Sequence, residues 1–96
     1  MSKQEIQNII ISCLREYHPA YVGLFGSFVR GDGSSNSDID ILVRFNESYS
    51  LLQLVRIENE LSNKFGIKVD LVTEGSLKNE RVKRSINQDL RIIYEA

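Results

Sequence analysis

The stretch GSFVRGDGSSNSDIDILV (residues 26–43) sets two carboxylates, Asp38 and Asp40, one residue apart at the entrance of an apolar run. A carboxylate beside buried residues costs free energy unless something binds it, so this stretch asks for a ligand as well as a fold. If residues 38–45 form a strand, alternation puts Ile39, Ile41 and Val43 on one face and Asp38, Asp40 and Leu42 on the other. Both aspartates then point the same way. The glycine-, serine- and asparagine-rich residues 31–37 read as a loop, and AYVGLF (residues 20–25), ending at Gly26, reads as a short central strand.

Helical spacing frames this core. Ser2 and Glu5 have the spacing of a capping box, and Ile6, Ile9, Ile10, Cys13, Leu14 and Tyr17 follow at steps of three and four, which predicts a first helix ending before Pro19. Over residues 50–65, Leu51, Leu54, Val55, Leu61 and Phe65 recur at similar spacing, with Gly66 as a C-terminal stop. IKVDLVT (residues 67–73) alternates again, and Asp70 interrupts it on the face opposite Ile67, Val69 and Leu71. Residues 76–88 predict a short basic helix through Leu77, Val82 and Ile86, and LRIIY (residues 90–94) predicts a closing strand. The order is helix, strand, strand, helix, strand, helix, strand. It implies a single domain over residues 1–96 of the α/β kind, an α+β mixed sheet of about four strands with helices packed on one face and Asp38, Asp40 and Asp70 on the other.

Composition removes several functional classes. The chain has 96 residues, 42% apolar and 26% charged, with a formal net charge of -1. That length suits one core, and the near-neutral charge argues against direct nucleic-acid binding, which normally rests on a basic domain. No segment is long and apolar enough to cross a bilayer, and the polar Ser2, Lys3, Gln4 and Glu5 do not resemble a secretory leader, so a cytoplasmic location and no membrane partner are expected. The one cysteine, Cys13, lies among Ile9, Ile10 and Leu14 and reads as a small buried hydrophobe. His18, the single histidine, stands before Pro19 in a loop with no partner in sequence to orient it for catalysis. Lys78, Arg81, Lys83, Arg84 and Arg91 are interspersed with Glu80 and Asp89, as on a solvated helix face. Tyr17, Tyr21, Tyr49 and Tyr94 are dispersed and suit core or partner contacts better than a base-stacking platform.

Three carboxylates on adjacent strands about 4.8 Å apart would raise one another's pKa unless cations neutralised them. Magnesium fits, because it takes hard oxygen ligands and is usually held by one or two carboxylates together with substrate phosphates. Two such ions can stabilise the attacking and leaving oxygens of an in-line phosphoryl displacement. In that arrangement Asp38 and Asp40 bridge the metals, and Asp70 holds the metal that activates the incoming hydroxyl or acts as its base. The turn supplies the phosphate side: Gly26 permits close backbone approach, and Ser27 offers a hydroxyl and an amide at a possible helix start. Arg30 could neutralise phosphate through its planar fork or tie down the acidic loop at Asp32.

GSFVRG followed by SDIDILV, with ten residues between Ser27 and Asp38, resembles the nucleotidyltransferase signature of the DNA polymerase beta superfamily. The small size, the third aspartate in VDLV and the ending INQDLRIIYEA resemble the minimal nucleotidyltransferases more narrowly, over nearly the whole chain from Tyr21 onward. The resemblance implies the small nucleotidyltransferase fold and transfer of AMP from ATP to a hydroxyl. It implies two Mg2+ ions at Asp38, Asp40 and Asp70, and phosphate at Gly26 and Ser27. It also implies an antitoxin whose partner is a HEPN-domain ribonuclease toxin, with a tyrosine of that toxin as acceptor. The residues themselves leave two alternatives open: a non-catalytic nucleotide-binding antitoxin that masks its partner, and an enzyme acting on a small-molecule hydroxyl.

Overall fold

The computed structural model describes residues 2–31 and 38–96. Helix α1 (Lys3–Leu14) begins where Ser2 accepts a hydrogen bond from the Glu5 amide, and it buries Ile6, Ile10, Cys13 and Leu14. A 3-10 turn (Arg15–Tyr17) closes at His18, which takes a left-handed conformation (φ 57°) before strand β1 (Pro19–Phe25). A one-turn helix, α2 (Ser27–Arg30), follows Gly26, and strand β2 (Ile39–Phe45) begins one residue after Asp38. Helix α3 (Leu51–Phe65), strand β3 (Val69–Thr73), a 3-10 turn (Glu74–Ser76), helix α4 (Glu80–Asp89) and strand β4 (Arg91–Glu95) complete the chain.

The sheet has the order β3-β2-β1-β4. β1 pairs antiparallel with both β2 and β4, while β2 and β3, joined through α3, run parallel. This mixed topology has a positional consequence. The end of β1 and the starts of β2, β3 and β4 all lie at one end of the sheet, with Phe25 opposite Asp40, Asp40 opposite Asp70, and Leu24 opposite Arg91. Gly26, Asp38, Asp40 and Asp70 are gathered by the strand directions before any side chain is considered.

Val22, Leu24, Ile39, Ile41, Val43 and Val69 bury one sheet face against Ile6, Ile10, Cys13 and Leu14 of α1 and Ile57 and Leu61 of α3. Cys13 is a buried free thiol, as its apolar neighbours in sequence imply. The opposite face carries the aspartates but is not bare: Leu42 is buried there, and Leu90 Cδ1 lies 2.6 Å from where a Cβ on Gly23 would stand. Gly23 therefore makes room for the segment between α4 and β4 to lie against the sheet.

Three expectations need correction. The stripe assigned to α3 includes Leu51 and Val55, yet these are 78% and 41% exposed, with Leu52 at 65%. At about 100° per residue, Leu61, Ile57 and Leu54 share a face, while Val55 and Leu52 lie about 120° and 180° round from Leu61. Ile57 is the residue that completes the stripe. The last helix begins at Glu80 and not near Ser76, because the Asn79 side chain accepts from the Arg81 and Val82 amides and sets the start there. The single turn α2 realises the helix start read at Ser27 but is missing from the expected element order, because four residues are too few to show periodicity. Residues 32–37 of the proposed loop, with Asp32 among them, lie outside the described residues.

The exposure pattern of α3 predicts unequal costs along one helix. Leu61, fully buried, should lose about 2–5 kcal/mol of stability on Leu61→Ala. Leu51→Ala should stay within about 0.5 kcal/mol. Urea denaturation of both variants checks this; equal losses would mean that α3 presents another face to the sheet.

Candidate active site

The three aspartates occupy three different situations. Asp40 is the second residue of β2 and stands directly opposite Asp70 of the parallel β3. Asp38 precedes β2 and bears on Asp40 electrostatically, more weakly than Asp70 does. Burial first, then the Asp70 charge, a hydrogen bond with Asp70 and the Asp38 charge push the Asp40 carboxyl up to about 6, while Arg30 pulls it the other way. Lys68 Nζ stands 3.7 Å from Asp70 Oδ1, an exposed ion pair that sequence reasoning passed over.

Gly26 lies against this cluster. Its backbone has φ 80° and ψ -160°, and a Cβ there would collide with Asp40 Oδ2. The glycine expected to admit a ligand thus first admits a carboxylate of its own chain. Ser27 opens α2, the amides of Val29 and Arg30 both donate to the Gly26 carbonyl, and Gly31 closes the turn in the left-handed region. Arg30 Nη1 donates to Asp89 Oδ2 at 2.6 Å, so one of its partners is the last residue of α4. Asp89 was read from sequence only as one of the acidic residues among the basic ones of the tail. No sequence signal pairs it with Arg30, because 59 residues separate them.

Among the described residues, no three Asp, Glu, His or Cys side chains form a group able to hold a metal ion. The donors nevertheless suit magnesium. Asp40 and Asp70 offer hard oxygens on neighbouring strands, their mutual repulsion is what a cation would relieve, and magnesium commonly takes one or two carboxylates and completes its shell with water and phosphate. An open carboxylate pair is the arrangement that mode of binding uses.

The raised carboxyl has a consequence for the metal-free protein. A folded-state pKa of about 6 against 3.8 means that ionising Asp40 opposes folding, a penalty that sets in as pH rises through 3.8 and is fully present above about pH 6. Asp40→Asn should therefore raise the melting temperature in the presence of a chelator, with the gain growing from pH 4 to pH 7. A gain independent of pH would assign the effect to something other than this charge.

A groove of about 610 Å³, lined by Val43, Phe45, Tyr49, Leu54, Thr73 and Lys83 among others, opens at the opposite end of β2 and β3. What marks the aspartate end is converging charge. The tyrosines are occupied structurally: the Tyr49 hydroxyl donates to the Tyr17 carbonyl, the Tyr49 ring meets those of Tyr17 and Phe45 edge-on, and the Tyr21 hydroxyl donates to Glu74. Lys78, Arg81, Arg84 and Arg91 are exposed, in keeping with a solvated face. Among the described residues, no helix is long and apolar enough to cross a membrane.

Known proteins resemble this chain in sequence and in fold. The family model for the nucleotidyltransferase domain matches residues 7–93. A Methanocaldococcus jannaschii protein, provisionally named a protein adenylyltransferase, is 47% identical over 75 residues, which cover 78% of this chain and 76% of the relative. The protein adenylyltransferase MntA of Thermococcus cleftensis is 36% identical over 92 residues, covering 92% of this chain and 93% of its own length. The crystal structure of a toxin-antitoxin complex with AMP-PNP contains a chain that superposes with a TM-score of 0.83 at 25% identity, over 94% of this chain and 73% of that one. The turn at Gly26 and Ser27, the paired strand aspartates and a match spanning residues 7–93 lead to one assignment: this chain belongs to the nucleotidyltransferase domain family.

Proposed function

We propose that this chain transfers AMP from ATP to a hydroxyl of a HEPN ribonuclease toxin, a tyrosine by the family resemblance, and thereby acts as its antitoxin. The observation that carries the reading is the direct register of Asp40 with Asp70 at the sheet end where the Gly26 turn lies. The relatives named as protein adenylyltransferases, and the fold shared with a toxin-antitoxin complex that contains AMP-PNP, support a protein acceptor and ATP.

The acceptor oxygen attacks the α-phosphorus of ATP, the bond to the β-phosphate oxygen breaks, and pyrophosphate leaves. Asp38, Asp40 and Asp70 would hold magnesium, which when bound offsets phosphate charge and lowers the barrier to attack. Asp70, with its side chain 40% exposed, is open to receive the acceptor's proton. Gly26 and Ser27 would seat the terminal phosphates on the turn, and Arg30 would offset their charge. Intact-mass spectrometry of a HEPN partner incubated with this chain, ATP and magnesium tests the reading. A mass gain of one or more AMP units is expected. An unmodified partner that stays bound and inhibited would replace catalysis with masking, and an unmodified, unbound partner would send the search to small-molecule hydroxyls.

A further inference from the structure

The carboxylate cluster has a cation of its own at the start of the edge strand. Lys68 immediately precedes β3, and its carbonyl accepts from the amide of Ile39, the residue between Asp38 and Asp40. Val69 is buried, so alternation sends Lys68 and Asp70 to the other face, and the parallel register that sets Asp40 opposite Asp70 continues to Asp38 beside Lys68. Lys68 Nζ lies 3.7 Å from Asp70 Oδ1. The main chain is held from its outer edge as well, because the Val69 amide donates to Ser62 Oγ and the Leu71 amide to Glu58 Oε2. The lysine side chain is not held in this way, since 69% of it is exposed and its charge rides on a flexible aliphatic stem. A fixed backbone thus sets a movable ammonium against a carboxylate proposed above as a metal ligand.

We propose that Lys68 is a resident counter-ion of Asp70, which it occupies in the metal-free protein and leaves when magnesium binds, so that this one side chain sets the affinity of the site for the metal. The inference rests on the reading of Asp38, Asp40 and Asp70 as a magnesium site. Carboxylates gathered by folding repel one another, and a cation supplied by the chain relieves part of that repulsion before any metal arrives. An ammonium 3.7 Å from Asp70 and a divalent ion on the same carboxylate repel each other in turn. Whatever Lys68 contributes to the metal-free fold is therefore lost on metal binding. The coupling is reciprocal: what stabilises the empty site weakens its hold on the ion.

The test titrates Mn2+, a paramagnetic substitute for magnesium, into nucleotide-free protein and measures the free ion by electron paramagnetic resonance. The proteins compared are the wild type, Lys68→Met, Lys68→Arg and Lys78→Met. Lys68→Met is expected to bind the ion at least about threefold more tightly, and Lys68→Arg about as the wild type does. Lys78→Met, which removes the same charge from an exposed position before α4, should also match the wild type. Thermal melts give the reciprocal readout: Lys68→Met should melt below the wild type in a chelator and level with it in saturating magnesium. Equal or weaker Mn2+ binding by Lys68→Met would overturn the inference, as would a melting deficit of the same size with and without magnesium. A gain matched by Lys78→Met would reduce the effect to net charge and overturn it too. If Lys68→Met binds the ion more tightly but the wild type transfers no AMP, the inference stands while the catalytic reading fails. A wild type that binds no Mn2+ would overturn the inference, and the catalytic reading with it only if AMP transfer is also absent.

Discussion

Replacing Asp38 and Asp40 together with asparagine is expected to abolish AMP transfer, by a factor of about a thousand or more, while leaving the domain folded. The size follows from the role assigned to the pair. Metal-borne stabilisation of phosphoryl charge contributes several kcal/mol, and each 1.36 kcal/mol is tenfold in rate. The survival of the fold follows from the electrostatics, because Asp40 sits in a cluster where burial and two like charges already oppose its ionisation. Asparagine is nearly isosteric and removes that opposition, so the metal-free double variant should melt no lower than the wild type. Added magnesium should raise the melting temperature of the wild type and leave the variant unmoved, since binding to the folded state alone stabilises it by mass action. Transfer assays, circular dichroism and thermal melts with and without magnesium check the three parts. An unfolded variant would make the pair structural and remove the main support for catalysis.

Gly26→Ala is the second substitution with a large expected effect. A methyl group there would meet Asp40 Oδ2, and Gly26 has a backbone conformation that residues with side chains almost never adopt. Backbone strain of this kind costs about 1–3 kcal/mol before the collision is counted. Relief has two routes, displacement of Asp40 or reshaping of the turn, and both disturb the geometry between the carboxylates and the turn proposed to seat phosphate. The expected result is a loss of at least about 2 kcal/mol in urea denaturation together with an ATP affinity too weak to measure at millimolar nucleotide. A variant with wild-type stability and affinity would show that the turn has room to spare, and the close approach of Gly26 to Asp40 would lose its significance.

Local signals in the sequence were read well. Residues 20–25, 38–45, 67–73 and 90–94 announce strands by alternation or by short apolar runs between breakers, and each contains an observed strand to within about two residues. The expected range of residues 50–65 with Gly66 as its stop brackets α3, so its limits were legible too, while the capping box of Ser50 and Gln53 that sets its start came with the structure. Its facing was not, because Leu51, Leu54, Val55 and Leu61 are all apolar and spacing alone does not say which of them meets the sheet. That choice depends on where β3 lies, a contact between elements that composition does not carry.

The candidate site divides along the same line. Strand periodicity puts Asp38 and Asp40 on one face, and the glycine-serine turn before them is a local feature, so these candidate residues were legible in the chain alone. Sequence also showed that Asp70 would lie on a strand with its back to the core. That Asp70 stands directly opposite Asp40 depended on the order β3-β2-β1-β4 and on the parallel register of one pair. The reach of Asp40 toward Gly26, and the bond between Arg30 and Asp89, likewise span 14 and 59 positions and arise only when four strand ends meet at one side of the sheet. Propensity, alternation and capping act over a few residues and therefore leave their mark in sequence. Register, facing and long-range pairing are decided by how whole elements bury their apolar faces against one another, which only the folded chain displays.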